Sequence, residues 1–323
     1  GQIALIETKM ESNKMRPSAT IGRDELLSAL KGAGSITKPI NNFPVLTHCL
    51  IELHADQTAT ITATDFDVTF RSTIEAGVTE PGAFTAPADV LISILSKIQG
   101  RQDVTLTSGY GCMTVVSGMI DFRLPSYEAE DFPPIASAYY EIDLDIDASA
   151  MSRLLKSTSW AAAKGTVKWN LAGSHLHSAD GHMVVVATDA VQLAYARAVV
   201  QGCDEFPDIT IPARTVGELI RMLDSIDTVT LSASETKVRM KGPATEIVST
   251  VIDAKFPDYQ RIIPTDNRHV MTADVSELKR AVERVLIVAS EKTRAMKIEV
   301  QGDRVILITR GASSVWDEMI VEY

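Results

Sequence analysis

The sequence predicts an α+β protein built from tandem copies of one domain, and three observations carry that prediction. The first is self-similarity at a spacing of about 125 residues, long enough to be a whole domain. Ala86-Pro87-Ala88 opens an apolar-periodic stretch through Val90, Leu91, Ile94, Leu95 and Ile98; Ile211-Pro212-Ala213 opens another through Val216, Leu219, Ile220, Met222 and Leu223. Phe132-Pro133 and Phe256-Pro257 close matching segments at the same offset. The second is a recurring strand end: Ile61 to Asp65 and Val185 to Asp189 both alternate and finish in Thr-Asp, and Val305 to Thr309 begins a further copy without the Asp. The third is the regular alternation of one helix with several short strands.

Taken in order, the first helix runs over Asp24 to Ile36 with Leu26, Leu27 and Leu30 inward. The second begins after Pro87, and the third runs from Ser149 through Met151, Leu154 and Leu155 towards Ala163. The fourth follows Pro212, and the fifth runs from Asp274 through Leu278, Val282 and Val285. Proline suits a helix start, where its missing amide costs no hydrogen bond. Turns fall at Ala76-Gly77, Ser108-Gly109, Ala179-Asp180-Gly181 and Gln301-Gly302-Asp303. Five helix-plus-strands units make two complete domains, 18–140 and 141–266, and the first half of a third, 267–323. Residues 1–17 read as an extension or tag remnant.

At 323 residues the chain exceeds one ordinary core, and 45% apolar with 23% charged content suits a folded, water-soluble protein. Its apolar runs are far shorter than a bilayer span, so no membrane contact and a cytoplasmic, nucleoid-associated location are expected. Cys49, Cys112 and Cys203 are odd in number and widely spaced, which argues against disulfides and zinc and for small buried hydrophobes.

The net charge of −11 argues at first against nucleic acid, but its distribution reverses the inference. Segments 23–38, 86–103, 149–168, 211–225 and 274–294 hold sixteen Lys and Arg against ten Asp and Glu, so the helical segments are net positive. The third carries Arg153, Lys156, Lys164 and Lys168 and no acid. Solvated helix faces alone could explain the bias. Repetition adds that duplicated units around an axis would bring every helix to one shared surface, suited to phosphates.

Thr64-Asp65, the Phe122 to Pro133 segment, Val186-Ala187-Thr188-Asp189, Ile211-Pro212-Ala213-Arg214, Phe256 to Pro264 and Ser290-Glu291-Lys292, in this order and spacing, resemble the bacterial DNA polymerase III β subunit family, the sliding clamps. The resemblance implies clamp domains of two helix-plus-strands units each, in a head-to-tail homodimer that encircles duplex DNA with helices inside and sheets outside. It implies a pocket for the clamp-binding motifs of the polymerase III α subunit, the clamp loader and other proteins, at Leu171, Thr188, Leu193, Pro257, Arg261 and Ile262. It implies sequence-independent DNA contacts at Lys164, Lys168, Trp169 and Arg214, and a subunit interface at Phe122, Ile287 and Val288. Two departures bear on the pocket: Ala190-Val191-Gln192 replaces the family's Gly-His-Arg, and the family's last strand is not in this sequence. At the interface, Met119 and Asp121 replace basic positions, with Asp317 and Glu318 acidic near Trp316.

No catalytic residue, metal or cofactor is expected. Asp65 and Asp189 occupy equivalent places in separate repeats, which fits strand-end turns better than a paired-carboxylate centre. His175, His177 and His182 could ligate a metal, yet no acid or Cys pattern accompanies them. Lys31 to Lys38 lacks the Gly-Lys-Ser/Thr ending of a phosphate loop. A processivity clamp is the function these residues favour. The alternatives are a clamp-like paralogue that binds peptides without encircling DNA and, more remotely, a metal-dependent hydrolase.

Overall fold

Apolar and β-branched residues recur along short strands whose inward faces are buried, and each helix of the first two repeats packs an apolar face into the same core. In the computed structural model the described residues are 16–40, 42–100, 102–135, 137–165, 168–289, 295–301 and 304–310, with the backbone of 314–320. Residues 1–15, and Ser290-Glu291-Lys292, lie outside the described residues.

In the first repeat β1 (Ser18–Gly22) leads directly into α1 (Arg23–Ile36), followed by β2 (His48–Leu53), β3 (Thr58–Thr64), β4 (Val68–Glu75), β5 (Gly77–Glu80) and β6 (Gly82–Pro87). Then come α2 (Ala88–Lys97), β7 (Asp103–Ser108), β8 (Cys112–Ser117) and β9 (Ile120–Pro125). The second repeat restates this with β10 (Ile142–Asp147), α3 (Ala148–Thr158), β11 (Gly173–Ala179), β12 (His182–Thr188), β13 (Leu193–Val199), β14 (Ile209–Pro212), α4 (Ala213–Leu223), β15 (Thr228–Ala233), β16 (Lys237–Lys241) and β17 (Thr245–Thr250). A third stretch holds α5 (Val275–Leu286), β18 (Lys297–Gln301), β19 (Arg304–Arg310) and β20 (Ser314–Ile320).

The repeats are joined by main chain. β17 pairs antiparallel with β4, from Thr245 opposite Ser72 to Ser249 opposite Val68, so an eight-stranded sheet in the order β10-β15-β16-β17-β4-β3-β2-β6 runs through both. A five-stranded sheet, β5-β1-β7-β8-β9, and a four-stranded one, β13-β12-β11-β14, complete them. One continuous apolar core serves both repeats, and residues 1–256 form one compact unit. Residues 257–323 form a second, in which Ala281 and Val285 of α5 pack on Val305 and Leu307 of the sheet β18-β19-β20.

Helix starts match the sequence reading, and two ends differ from it. α3 stops at Thr158 instead of continuing towards Ala163, where Ser157 and Thr158 turn their hydroxyls back on the chain. Thr158 Oγ1 donates to the Leu154 carbonyl at 2.9 Å and Ser157 Oγ to that of Arg153 at 2.6 Å. α5 is capped by Asp274, whose carboxylate accepts the Glu277 amide at 2.8 Å, and it ends at Leu286. Ile287, named for the subunit interface, therefore begins the turn beyond the helix.

Candidate functional site

The Thr-Asp strand ends fold into one turn, made twice. Thr64 Oγ1 donates to the Val68 carbonyl and accepts the Phe66 amide, both at 3.1 Å, while Asp65 Oδ1 accepts the Val68 amide at 2.9 Å. In the second repeat Thr188 Oγ1 donates to the Gln192 carbonyl at 2.6 Å and accepts the Ala190 amide at 3.0 Å. Asp189 Oδ1 accepts the Val191 and Gln192 amides at 2.8 Å. Those amides hold the Asp189 carboxyl at about 2. Phe66 and Ala190 take φ of 75° and 73°, the left-handed step that lets the side-chain caps close.

Around the second turn sit three residues named for the peptide pocket. Thr188 is buried within the turn, Leu193 opens β13 half-buried, and buried Leu171 ends a 3-10 turn over Trp169–Leu171. Of the departures, Val191 is exposed and Gln192 Nε2 donates to Asp189 Oδ2 at 3.3 Å, bracing the turn. The other three, Pro257, Arg261 and Ile262, belong to the second compact unit. Ile262 is 64% exposed, and Arg261 pairs with Asp258 at 2.7 Å.

The residues named for DNA separate. Lys164, Lys168 and Trp169 are each exposed between α3 and β11, a stretch closed where the Ala163 amide donates to the Leu171 carbonyl at 3.0 Å. Lys168 Nζ also donates to the Asp189 carbonyl at 2.8 Å, linking this loop to the turn beside it. Trp160, 57% exposed just before the loop, was not singled out in the sequence; an aromatic set among Ser and Ala carries no periodic signal.

Arg214 does something else. Its guanidinium pairs with Asp65 of the first repeat and donates to the Ser35 and Ile36 carbonyls at 3.0 and 3.1 Å. Those carbonyls are the unsatisfied acceptors at the end of α1, and a cation is the partner the helix dipole favours there. Lys38 stands 3.4 Å from the same carboxylate, and Ser35 Oγ donates to Glu218 of α4 at 2.7 Å. Burial pushes the Asp65 carboxyl up, but the Val68 amide and Arg214 outweigh it and hold it below its ordinary value. Arg214, expected to meet phosphate, is here engaged in a clasp between repeats. Asp65, expected only to shape a turn, anchors that clasp as well.

At the residues named for the subunit interface, Phe122 is 43% exposed on β9, one of the two edge strands of the five-stranded sheet. Ile287 is exposed and Val288 half-buried. The histidines behave as packed side chains. His175 stacks on Phe256 with centroids 4.4 Å apart and meets Thr210 through Nδ1, while Nδ1 of His177 and of His182 contacts the Ser178 and Asp180 carbonyls. Burial, then the neighbouring His177, lowers His175 to about 4. Among the described residues no three His, Cys, Asp or Glu are disposed to hold a metal ion, and no helix is long and apolar enough to cross a membrane. Cys49 and Cys203 are buried, and burial pushes the Cys49 thiol up to about 12.

Family models of the DNA polymerase III beta subunit match in order: the N-terminal domain over residues 18–136, the central domain over 145–258 and the C-terminal domain over 260–316. The beta sliding clamp of Caulobacter vibrioides is 33% identical over 314 residues, covering 94% of this chain and 84% of that protein. That of Haemophilus influenzae is 25% identical over 307 residues, covering 94% and 83%. A crystal structure of the C. crescentus beta sliding clamp with bound PEG aligns with a TM-score of 0.91 at 31% identity, over 96% of this chain and 85% of that one. The Pseudomonas aeruginosa sliding clamp bound to griselimycin aligns with a TM-score of 0.90 at 26% identity, over 95% and 85%. With three domain models in sequence and a relative one-third identical across most of both lengths, this chain belongs to the DNA polymerase III β subunit family and is a DNA sliding clamp.

Proposed function

We propose that this clamp works without catalysis, as a homodimer closed around duplex DNA that tethers a polymerase and other proteins bearing short clamp-binding motifs. The observation that carries this reading is the loop 163–171, in which exposed Lys164, Lys168 and Trp169 stand on the same short segment as Leu171, next to the Thr188 turn. Lysines there would neutralise phosphates with no regard to base sequence, and Trp169 would lie along the sugar-phosphate backbone. Leu171 and Leu193, with Pro257 and Ile262, would bury the apolar end of a peptide, while Thr188 and Arg261 fix its polar groups. Phe122 on a free sheet edge and Ile287 supply apolar contact for a second copy. The deciding experiment is capture of the purified chain on circular DNA after loading: retention that ends when the circle is linearised supports topological tethering, and retention indifferent to linearisation opposes it.

A further inference from the structure

The pocket proposed around Thr188 has a counterpart in the first repeat, at a constant offset of 124 residues. Five of the six residues named for that pocket, Thr188, Leu193, Pro257, Arg261 and Ile262, correspond to Thr64, Thr69, Pro133, Ser137 and Ala138; the sixth, Leu171, falls on Thr47, which lies outside the cleft. All five of the earlier residues line a single cleft of about 460 Å³ between the first two repeats. The correspondence is geometric as well as numerical, since the Thr64 and Thr188 turns share their hydrogen bonds and their left-handed step.

The cleft carries its own chemistry. Where the second repeat has Leu193 and Ile262, the first has the smaller Thr69 and Ala138, and apolar surface comes instead from Phe66, Ile135 and Tyr140. Phe66 is an unusual tenant for φ of 75°, a conformation that strains a bulky side chain and that Gly or Asn would take readily. Its ring is half exposed and is propped edge-on by Phe43 at 5.1 Å. On the strand side stand Arg71, Lys237 and Arg239. One carboxylate, Glu246, lines the cleft with them, 3.6 Å from Arg71 and 3.8 Å from Arg239. Lys237 has no ion pair with a described residue. Arg239 is held 4.5 Å over the Tyr140 ring and also reaches Asp143. A surplus of cations in a cleft of a protein with net charge −11 selects an anionic ligand.

We propose that this cleft is a second docking site for protein segments, taking a short extended stretch with one or two carboxylates beside an aromatic side chain. The carboxylates meet Lys237 and the Arg71/Arg239 pair, and the aromatic ring enters between Phe66 and Tyr140. The proposal rests on the peptide reading of the Thr188 pocket only in borrowing the kind of ligand; its own chemistry is that of the cleft.

The test uses the full chain carrying Leu193→Asp, which silences the Thr188 pocket. Its isoleucine, alanine and valine methyls are followed by NMR during titration with a pool of acetylated hexapeptides, each with two Asp or Glu and one Phe or Tyr. Shifts at Ile135, Ala138 and Val248 are expected, about tenfold weaker in apparent affinity after Lys237→Glu. Phe66→Gly relieves the φ strain, so the fold persists while binding falls at least fivefold. No shift at these methyls with millimolar peptide, or equal shifts from a pool with Asn and Gln in place of the acids, overturns the proposal. Binding of a polymerase-derived peptide to the wild-type chain reports on the Thr188 pocket separately, so either reading can fail alone.

Discussion

Asp65 and Arg214, 149 positions apart, form an ion pair across the border between the first two repeats, and the same guanidinium caps the last carbonyls of α1. Removing the cation leaves a buried carboxylate with Lys38 and one amide for compensation. Arg214→Met should therefore destabilise the first compact unit by about 3 kcal/mol in urea unfolding, the scale of breaking a buried pair from one side. Adding Asp65→Asn should recover part of the loss. Duplex binding by Arg214→Met at matched folding should stay at the wild-type level; a fall comparable to that of a loop lysine would return Arg214 to the DNA face.

Charge reversal of Lys164 and Lys168 should weaken binding to any duplex equally. For every phosphate left without its lysine, the slope of log K against log salt should become shallower by about 0.9. Fluorescence anisotropy at several salt concentrations reads both effects, and an unchanged slope would dissociate the loop from DNA.

A peptide with a Gln and a Leu-Phe end should bind the wild-type chain weakly, in the tens of micromolar, or about −6 kcal/mol. Leu193→Asp should abolish the calorimetric heat, whereas His175→Gln should leave it intact.

Burial holds His48 and His175 at about 4 in the folded chain, against an ordinary 6.5. Because the unfolded chain takes up those protons first, the stability they contribute is complete above pH 6.5 and drains away as pH falls towards 4. At pH 5 the loss is about 2 kcal/mol per histidine. Melting curves at pH 7 and pH 5 should show it, and His175→Gln should shrink the difference.

Phe122→Asp or Ile287→Asp should give monomers in sedimentation at micromolar concentration, since each sets an unpaired charge in the proposed joint. A wild-type chain that sediments as a monomer at high micromolar concentration would count against the ring.

The duplication was legible because it recurs at an offset of 124 or 125 in three kinds of signal: helix starts after Pro87 and Pro212, the Thr-Asp strand ends, and the Phe-Pro pairs. Local chemistry sets each of these, so each survives in the primary sequence. The Asp65 and Arg214 clasp was not legible, since any of sixteen cations in the helical segments could have met a phosphate and only packing decides which meets a carboxylate. The stop of α3 turned on two consecutive hydroxyl residues, Ser157 and Thr158, whose back-bonding competes with helix continuation, against an apolar spacing that extended further. The Thr64 cleft went unread for a related reason: its Lys237 and Arg239 come from a strand more than 160 positions beyond Thr64 and show no partnership until β17 pairs with β4.

That pairing bears on how the first compact unit resists force. A seam of side chains can peel one residue at a time, whereas five facing residues of antiparallel backbone resist shear together. Under load the first two repeats would therefore behave as one stiff beam, because their border is a ladder of backbone hydrogen bonds inside a continuous eight-stranded sheet.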